Sequence, residues 1–200
     1  MAHSIWFRQL TCSRIEEGHI ISTSWLMHWE IWFVSKTQSV TYAEHGFWAY
    51  DVAVGIFLKH LIDAAQASGE ASTAWLSQAV ASWRVWAVVS DYGVALDRRW
   101  SAEQRKTFIA LAEEACTALA TRDSIPAKEI TSWPFVDDLR IHPRGANEVF
   151  TAPVIELGRA IIALLCGELP EAPKGEAWLF GTPTGRSTIQ VNPSWDGRWA

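Results

Sequence analysis

The stretch EHGFWAYDVAVGIFLKHLIDAAQA, residues 44–67, carries the strongest periodic signal in the chain and decides how the fold is read. Phe47, Tyr50, Val54, Phe57, Leu58, Leu61, Ile62 and Ala65 recur mostly at spacings of three and four. Asp51, Gly55, Lys59, Asp63 and Gln66 follow the opposite face. That pattern predicts an amphipathic helix of about five or six turns starting near Glu44. Lys59 and Asp63 stand one turn apart and predict a weak surface ion pair. Ser68-Gly69 supplies a plausible end, because glycine accepts the positive φ of a helix terminus.

Towards the C-terminus the helical reading continues. Residues 73–90 predict a second helix with Trp75, Ala79, Trp83 and Trp86 on one broad side; Leu76, Val80, Ala87 and Val88 leave so little polar circumference that it reads as central. Ser101-Ala102-Glu103-Gln104 matches a capping box at the start of a third helix, which runs to about Ala120. Pro126, Pro134, Pro143 and Gly145 break residues 123–147 into an ordered surface excursion, pinned by Trp133, Phe135, Val136, Leu139 and Ile141, with room for a short helix at Ala127–Ser132. Pro153 suits the first turn of a last helix that Gly167 caps. Residues 176–180 and 187–191 then predict a hairpin.

Towards the N-terminus, Ser4–Glu17 reads as a helix. Trp25–Val34 fits two periods: as a strand it has a wholly apolar face, and as a helix it aligns Trp25, Trp29 and Trp32. The strand is favoured on aromatic content, with Ser35–Gln38 turning into a partner strand at Val40–Tyr42. The fold class expected is therefore mainly α: a single compact helical domain over residues 1–200, with minor β hairpins near the N- and C-terminal regions.

Composition narrows the function classes. At 49% hydrophobic and 20% charged, the chain has enough apolar area to fold without disulfides or a metal. A net charge of -5 opposes nucleic acid and anionic membranes, so neither is expected as a partner. Arg98, Arg99, Arg105 and Lys106 form a local basic run, read as a solvated helix entry. Cys12, Cys116 and Cys166 are too few and too scattered for a disulfide framework, and Cys116 and Cys166 read as inert core thiols. With no signal-peptide pattern and no apolar run of about 18 residues, a cytoplasmic protein is expected.

The candidate site lies between Asp137 and Glu148. If Leu139 and Ile141 anchor an extended segment inward, Asp138, Arg140 and His142 share the outer face with Arg144 nearby, a set able to bind an anionic ligand through guanidinium forks. The same residues fit a self-satisfying loop network. His28, Glu30, Glu44, His45 and His60 lack metal-ligand spacing, so no metal and no cofactor is expected. Asp51 reads as a solvent-facing carboxylate and Asp91 as a helix-end residue. Residues 181–187, GTPTGRS, lack the lysine of a phosphate loop and read as a turn.

Eight of the 13 tryptophans fall into two groups. Trp48, Trp75, Trp83 and Trp86 ride the helical patterns and read as core. Trp133, Trp178, Trp195 and Trp199 fall where periodicity fails and are candidates for partner contact, against the alternative that they clip loops and tail to the domain. With no catalytic signature, the function expected is a non-enzymatic protein-interaction module, such as an acidic inhibitor or immunity-type protein. The alternative is a small-molecule enzyme or sensor using Asp138, Arg140, His142 and Arg144 for an anionic ligand.

Overall fold

The computed structural model describes residues 37–69, 73–89, 91 and 93–191. All belong to the second of the two units into which the chain divides, Val34–Ala200. The expected Ser4–Glu17 helix and Trp25–Val34 strand lie outside the described residues, as do Cys12, His28, Glu30, Trp195 and Trp199.

Residues 44–67 do not form one helix. Strand β1, Thr37–Tyr42, pairs antiparallel with strand β2, His45–Tyr50, and helix α1 begins only at Asp51 and ends at Ala67. The chain reverses at Ala43-Glu44, where Ala43 takes a φ of 54° at a loop position that glycine usually fills. Phe47 and Ala49 are both fully buried and two residues apart, so the run before Asp51 obeys the period of a strand. Phe47 and Tyr50 also happen to fall in helical step with Val54, and a short apolar run satisfies either period. The aromatic content of Phe47-Trp48-Ala49-Tyr50 and the pairing with β1 decide for the strand.

That correction changes the fold class from mainly α to mixed α/β. After α1 come α2 (Ala74–Trp86), β3 (Val94–Leu96), α3 (Ala102–Leu119), β4 (Ser124–Pro126), α4 (Ala127–Ser132), β5 (Glu148–Phe150), α5 (Thr151–Cys166), β6 (Glu176–Thr182) and β7 (Gly185–Gln190). Five strands form one sheet in the order β3-β1-β2-β6-β7, while β4 and β5 form a second, two-stranded sheet. The C-terminal hairpin exists as expected, but it is the margin of the large sheet: β6 runs parallel to β2, with Trp48 opposite Leu179. Parallel neighbours are joined only by long crossovers, a connection that neither local sequence reveals.

Helices α1 and α5 pack on the sheet and on each other, α3 packs against both, and α2 packs against α1. Helix α1 is the centre: Val52 to Leu58 are buried without interruption, the burial expected of a helix enclosed on every side. Helix α2, expected to be central, is not. Only Leu76, Ala79 and Trp83 are buried on it, and Trp75 and Trp86 are half-buried. Trp83 meets Phe108 of α3 edge-on at 5.6 Å, and Trp100 bridges Phe108 and Trp75 at 5.2 and 6.0 Å, an aromatic cluster that fixes α2 against α3. Trp48 is a half-buried strand residue rather than a helical one.

Helix α3 opens on the expected capping box: the Gln104 amide donates to Ser101 Oγ, and the Ser101 amide donates to Gln104 Oε1. Helix α5 ends on Gly167 with a φ of 72°. Cys116 is buried between α3 and α5, where burial pushes its thiol pKa up. Cys166 is exposed, because it falls on the outer side of the last turn of α5; it is not a core thiol. No helix among the described residues is long and apolar enough to cross a membrane.

Candidate functional site

Because β2 runs directly into α1, Asp51 is the first residue of the helix, where a carboxylate is favoured by the exposed amides and the helix dipole. Tyr50 precedes it without a side-chain cap, and Asp51 Oδ1 itself accepts the Val52 amide at 2.8 Å. Asp51 does not face solvent as its sequence position suggests. Arg144 reaches it from the excursion and donates through Nη1 to Oδ1 at 3.2 Å and through Nη2 to Oδ2 at 2.6 Å. The two side chains are only 12% and 27% exposed. A two-pronged pair of this kind fixes geometry as well as charge.

The excursion is built from turns rather than from an extended strand. Leu139 N–H donates to Val136 O, Arg144 N–H to His142 O and Ala146 N–H to Pro143 O; Asp137 and Gly145 take φ of 46° and 76°. Alternation therefore fails at its first member: Ile141 is buried as expected, but Leu139 is 47% exposed. Arg140 folds back on its own turn, with Nη1 donating to the carbonyls of Asp137 and Leu139 at 3.0 and 2.8 Å. Arg84 of α2 pins the excursion further by donating to Phe135 O. Gly55 of α1 lets the excursion approach, since a Cβ there would stand 2.7 Å from Ile141 Cδ1 and 2.7 Å from the Ala87 carbonyl oxygen.

Of the four expected site residues, Arg140, His142 and Arg144 line one cavity of about 110 Å³, together with Asp51 and Gln38. Asp138 is exposed and outside it. Val52, Ala87, Val88 and Ile141 supply apolar walls. Gln38, which its polar neighbours mark as a turn residue, is the lining residue that the sequence pattern does not single out. It lies in β1, two residues before buried Val40 and opposite Ala49, and so faces the core at 2% exposure. Neither its Nε2 nor its Oε1 has a hydrogen-bond partner among the described residues. The period of two from Val40 was the available signal.

Of the aromatic candidates, Trp133 and Trp178 are among the described residues, and both contact neighbouring side chains or backbone. Trp133 is half-buried with its ring 6.1 Å from His60 and Lys59 Nζ 5.5 Å from its centroid. Trp178 donates its Nε1–H to Pro170 O at 2.8 Å and carries the Arg186 guanidinium 4.9 Å from its centroid. A larger concavity of about 650 Å³ runs past His45, Leu169, Glu176 and Trp178. There the Trp178 indole is already bonded, and Glu176 Oε1 accepts from Gln190, so no buried group is left unpaired among those lining it. In the basic run at 98–106, Arg99 pairs with Asp97 and Arg105 donates to Trp100 O.

Comparison of the chain with protein-family models, with curated proteins and with solved structures finds no match.

Proposed function

We propose that the protein is a binding or sensing domain, without catalysis, whose cavity at the start of α1 accepts a small anionic group. The observation that supports this most directly is Gln38. A buried primary amide with both polar atoms unpaired costs about 1–3 kcal/mol, and native structures keep few such groups outside functional positions. Gln38 shares the lining of that cavity with Arg140, Arg144 and Asp51. The free thiols of Cys116 and Cys166 support a reducing, cytoplasmic setting. The test is titration of the purified chain with small carboxylates and inorganic phosphate, followed by the side-chain amide resonances of Gln38. Saturable shifts that disappear in Arg140→Ala support the reading; shifts absent with every anion defeat it.

A second reading, the protein-interaction module of acidic inhibitor type, draws on two exposed large apolar side chains among the described residues, Leu139 at 47% and Phe150 at 54%, and on the net charge of -5. On that reading a partner covers the outer turn of the excursion. Leu139→Asp then weakens retention of the specific partner recovered from host extract without altering anion binding. Equal retention by wild type and variant removes Leu139 from the interface.

A further inference from the structure

The two margins of the five-stranded sheet differ. On one side β3 ends it with three residues, a length that gives another chain little to pair with, and on the other β7 ends it with six. The ladder fixes where the β7 backbone groups point. Glu176 stands opposite Gln190 and Leu179 opposite Ser187, and the same register continues to Val191, whose N–H donates to Gly175 O at 3.1 Å. Hydrogen-bonded and non-hydrogen-bonded pairs alternate along an antiparallel ladder, so Ser187, Ile189 and Val191 turn their N–H and C=O groups towards β6. Arg186, Thr188 and Gln190 turn theirs away from the sheet. Arg186 agrees independently, since its N–H donates to Glu156 Oε2 at 3.0 Å rather than to β6.

The outward N–H and C=O groups of Thr188 and Gln190 have no hydrogen-bond partner among the described residues, and both residues are exposed. Such a margin is a template for a further strand, which proteins commonly block with lysine, proline or a bulge. The β7 sequence GRSTIQ holds neither lysine nor proline, and the irregularity between β6 and β7 places its extra residue on β6, between Leu179 and Thr182. The one charge of the strand, Arg186, stands near its start and is engaged by Glu156 and the Trp178 ring.

We infer that β7 pairs antiparallel with β7 of a second copy of this chain, about a two-fold axis at Ile189. In that register Thr188 exchanges both backbone hydrogen bonds with Gln190 of the second copy, and Gln190 does so with Thr188, so every outward group of the two residues is satisfied. An axis at Thr188 instead calls on the Arg186 N–H, which Glu156 already holds. Self-pairing also meets no electrostatic obstacle: residues 187–190 carry no charge, and the two Arg186 side chains fall at opposite ends of the paired segment. Ile189, half-buried in the single chain, faces its own copy in the close non-hydrogen-bonded position, where the two side chains cover each other.

Sedimentation equilibrium of the full chain under reducing conditions is expected to show a mass that rises with concentration to twice that of one chain. Ile189→Lys sets two ammonium groups against each other across the axis, so the dimer dissociation constant is expected to rise about tenfold or more with an unchanged circular dichroism spectrum. Cross-linking checks the register with milder substitutions. Under mild oxidation Ile189→Cys is expected to form a covalent dimer beyond any that the wild-type chain forms, because Cα atoms about 4.5 Å apart are within disulfide reach; Thr188→Cys, displaced by two residues along the pair, is not. A wild-type chain that stays monomeric at every concentration overturns the pairing. A dimer as tight in Ile189→Lys as in wild type overturns it too, by placing the contact elsewhere. Should Ile189→Lys fail to fold, the cross-links decide: a covalent dimer of Thr188→Cys in place of Ile189→Cys overturns the axis, and none from either overturns the pairing.

Discussion

The first turn of α1 and its middle belong to one helix but follow different rules. Around Phe57, Leu58 and Leu61, burial is apolar, shared among α1, α3 and α5, and every neighbour contributes without regard to direction. Around Asp51, burial is polar and directional: a carboxylate held by two prongs from Arg144, and a glutamine amide with no partner among the described residues. Farther along the same helix, Lys59 and Asp63 make the expected ion pair, with Asp63 48% exposed, where such pairs contribute little. What separates these regions is whether a group's partner is specified. The core accepts any well-packed substitute, whereas the cavity retains a group that stability alone gives no reason to keep.

The sharpest break of that contrast is on the apolar side. Trp83 is 1% exposed and edge-packed on Phe108, so Trp83→Ala is expected to cost about 3–5 kcal/mol, seen as a lower urea midpoint. An unchanged midpoint contradicts its place as the anchor between α2 and α3. On the polar side, Arg144→Ala removes both prongs from Asp51 and leaves a carboxylate only 12% exposed with the Val52 amide as its remaining donor. Losing a fully exposed pair costs at most about 1 kcal/mol and breaking a fully buried one about 3–5 kcal/mol; this pair is partly exposed, so its loss is expected to fall between them and below that at Trp83. A larger loss at Arg144 would invert the comparison.

The sequence reveals most of the helices because their signals are local. The capping box of α3 lies within four consecutive residues, and the limits of α4 follow from Pro126 and Trp133, with its end at Ser132. The sheet was illegible because its evidence is not local. Nothing in residues 45–50 states that Trp48 will stand opposite Leu179, and without that pairing Phe47 and Tyr50 join the helical count. The same error hid half of the site. Once β2 is read as a helix, Asp51 becomes a mid-helix surface residue instead of the first residue of α1, and once Gln38 is placed in a turn its inward direction is lost. Arg140, His142 and Arg144 were legible as chemistry, and their convergence on Gln38 and Asp51 depended on turns at Val136–Leu139 and Pro143–Ala146. Asp138 dropped out because the first of those turns points it to solvent.

Gln38→Met sharpens the comparison from the opposite direction. It replaces an unpaired amide by an apolar chain of similar shape, and so imposes the rule of the core on the cavity. Stability is expected to rise by about 1–2 kcal/mol, measured as a higher urea midpoint without ligand. A fall of similar size would show that the amide is already satisfied in solution.

The smallest effect concerns His60, on the rim of the core where α1 meets Trp133. Its Nε2 is buried without a partner among the described residues, and burial lowers its pKa below the ordinary value of about 6.5. Among the charges facing it, Lys59 and Arg122 act in the same direction, while Asp63 and Glu129 oppose them. The folded state thus binds a proton at His60 less readily than the unfolded chain. Above about pH 6.5 both states are neutral at this residue and nothing is lost. As pH falls below that value the unfolded chain takes up the proton first, so stability declines until the folded pKa is passed. Urea midpoints at pH 7.5 and 5.5 should therefore separate more for wild type than for His60→Gln, which carries no titrating group there. An equal separation in the two proteins means that the imidazole is hydrated in solution and that the apolar rule of the α1 core ends before His60 is reached.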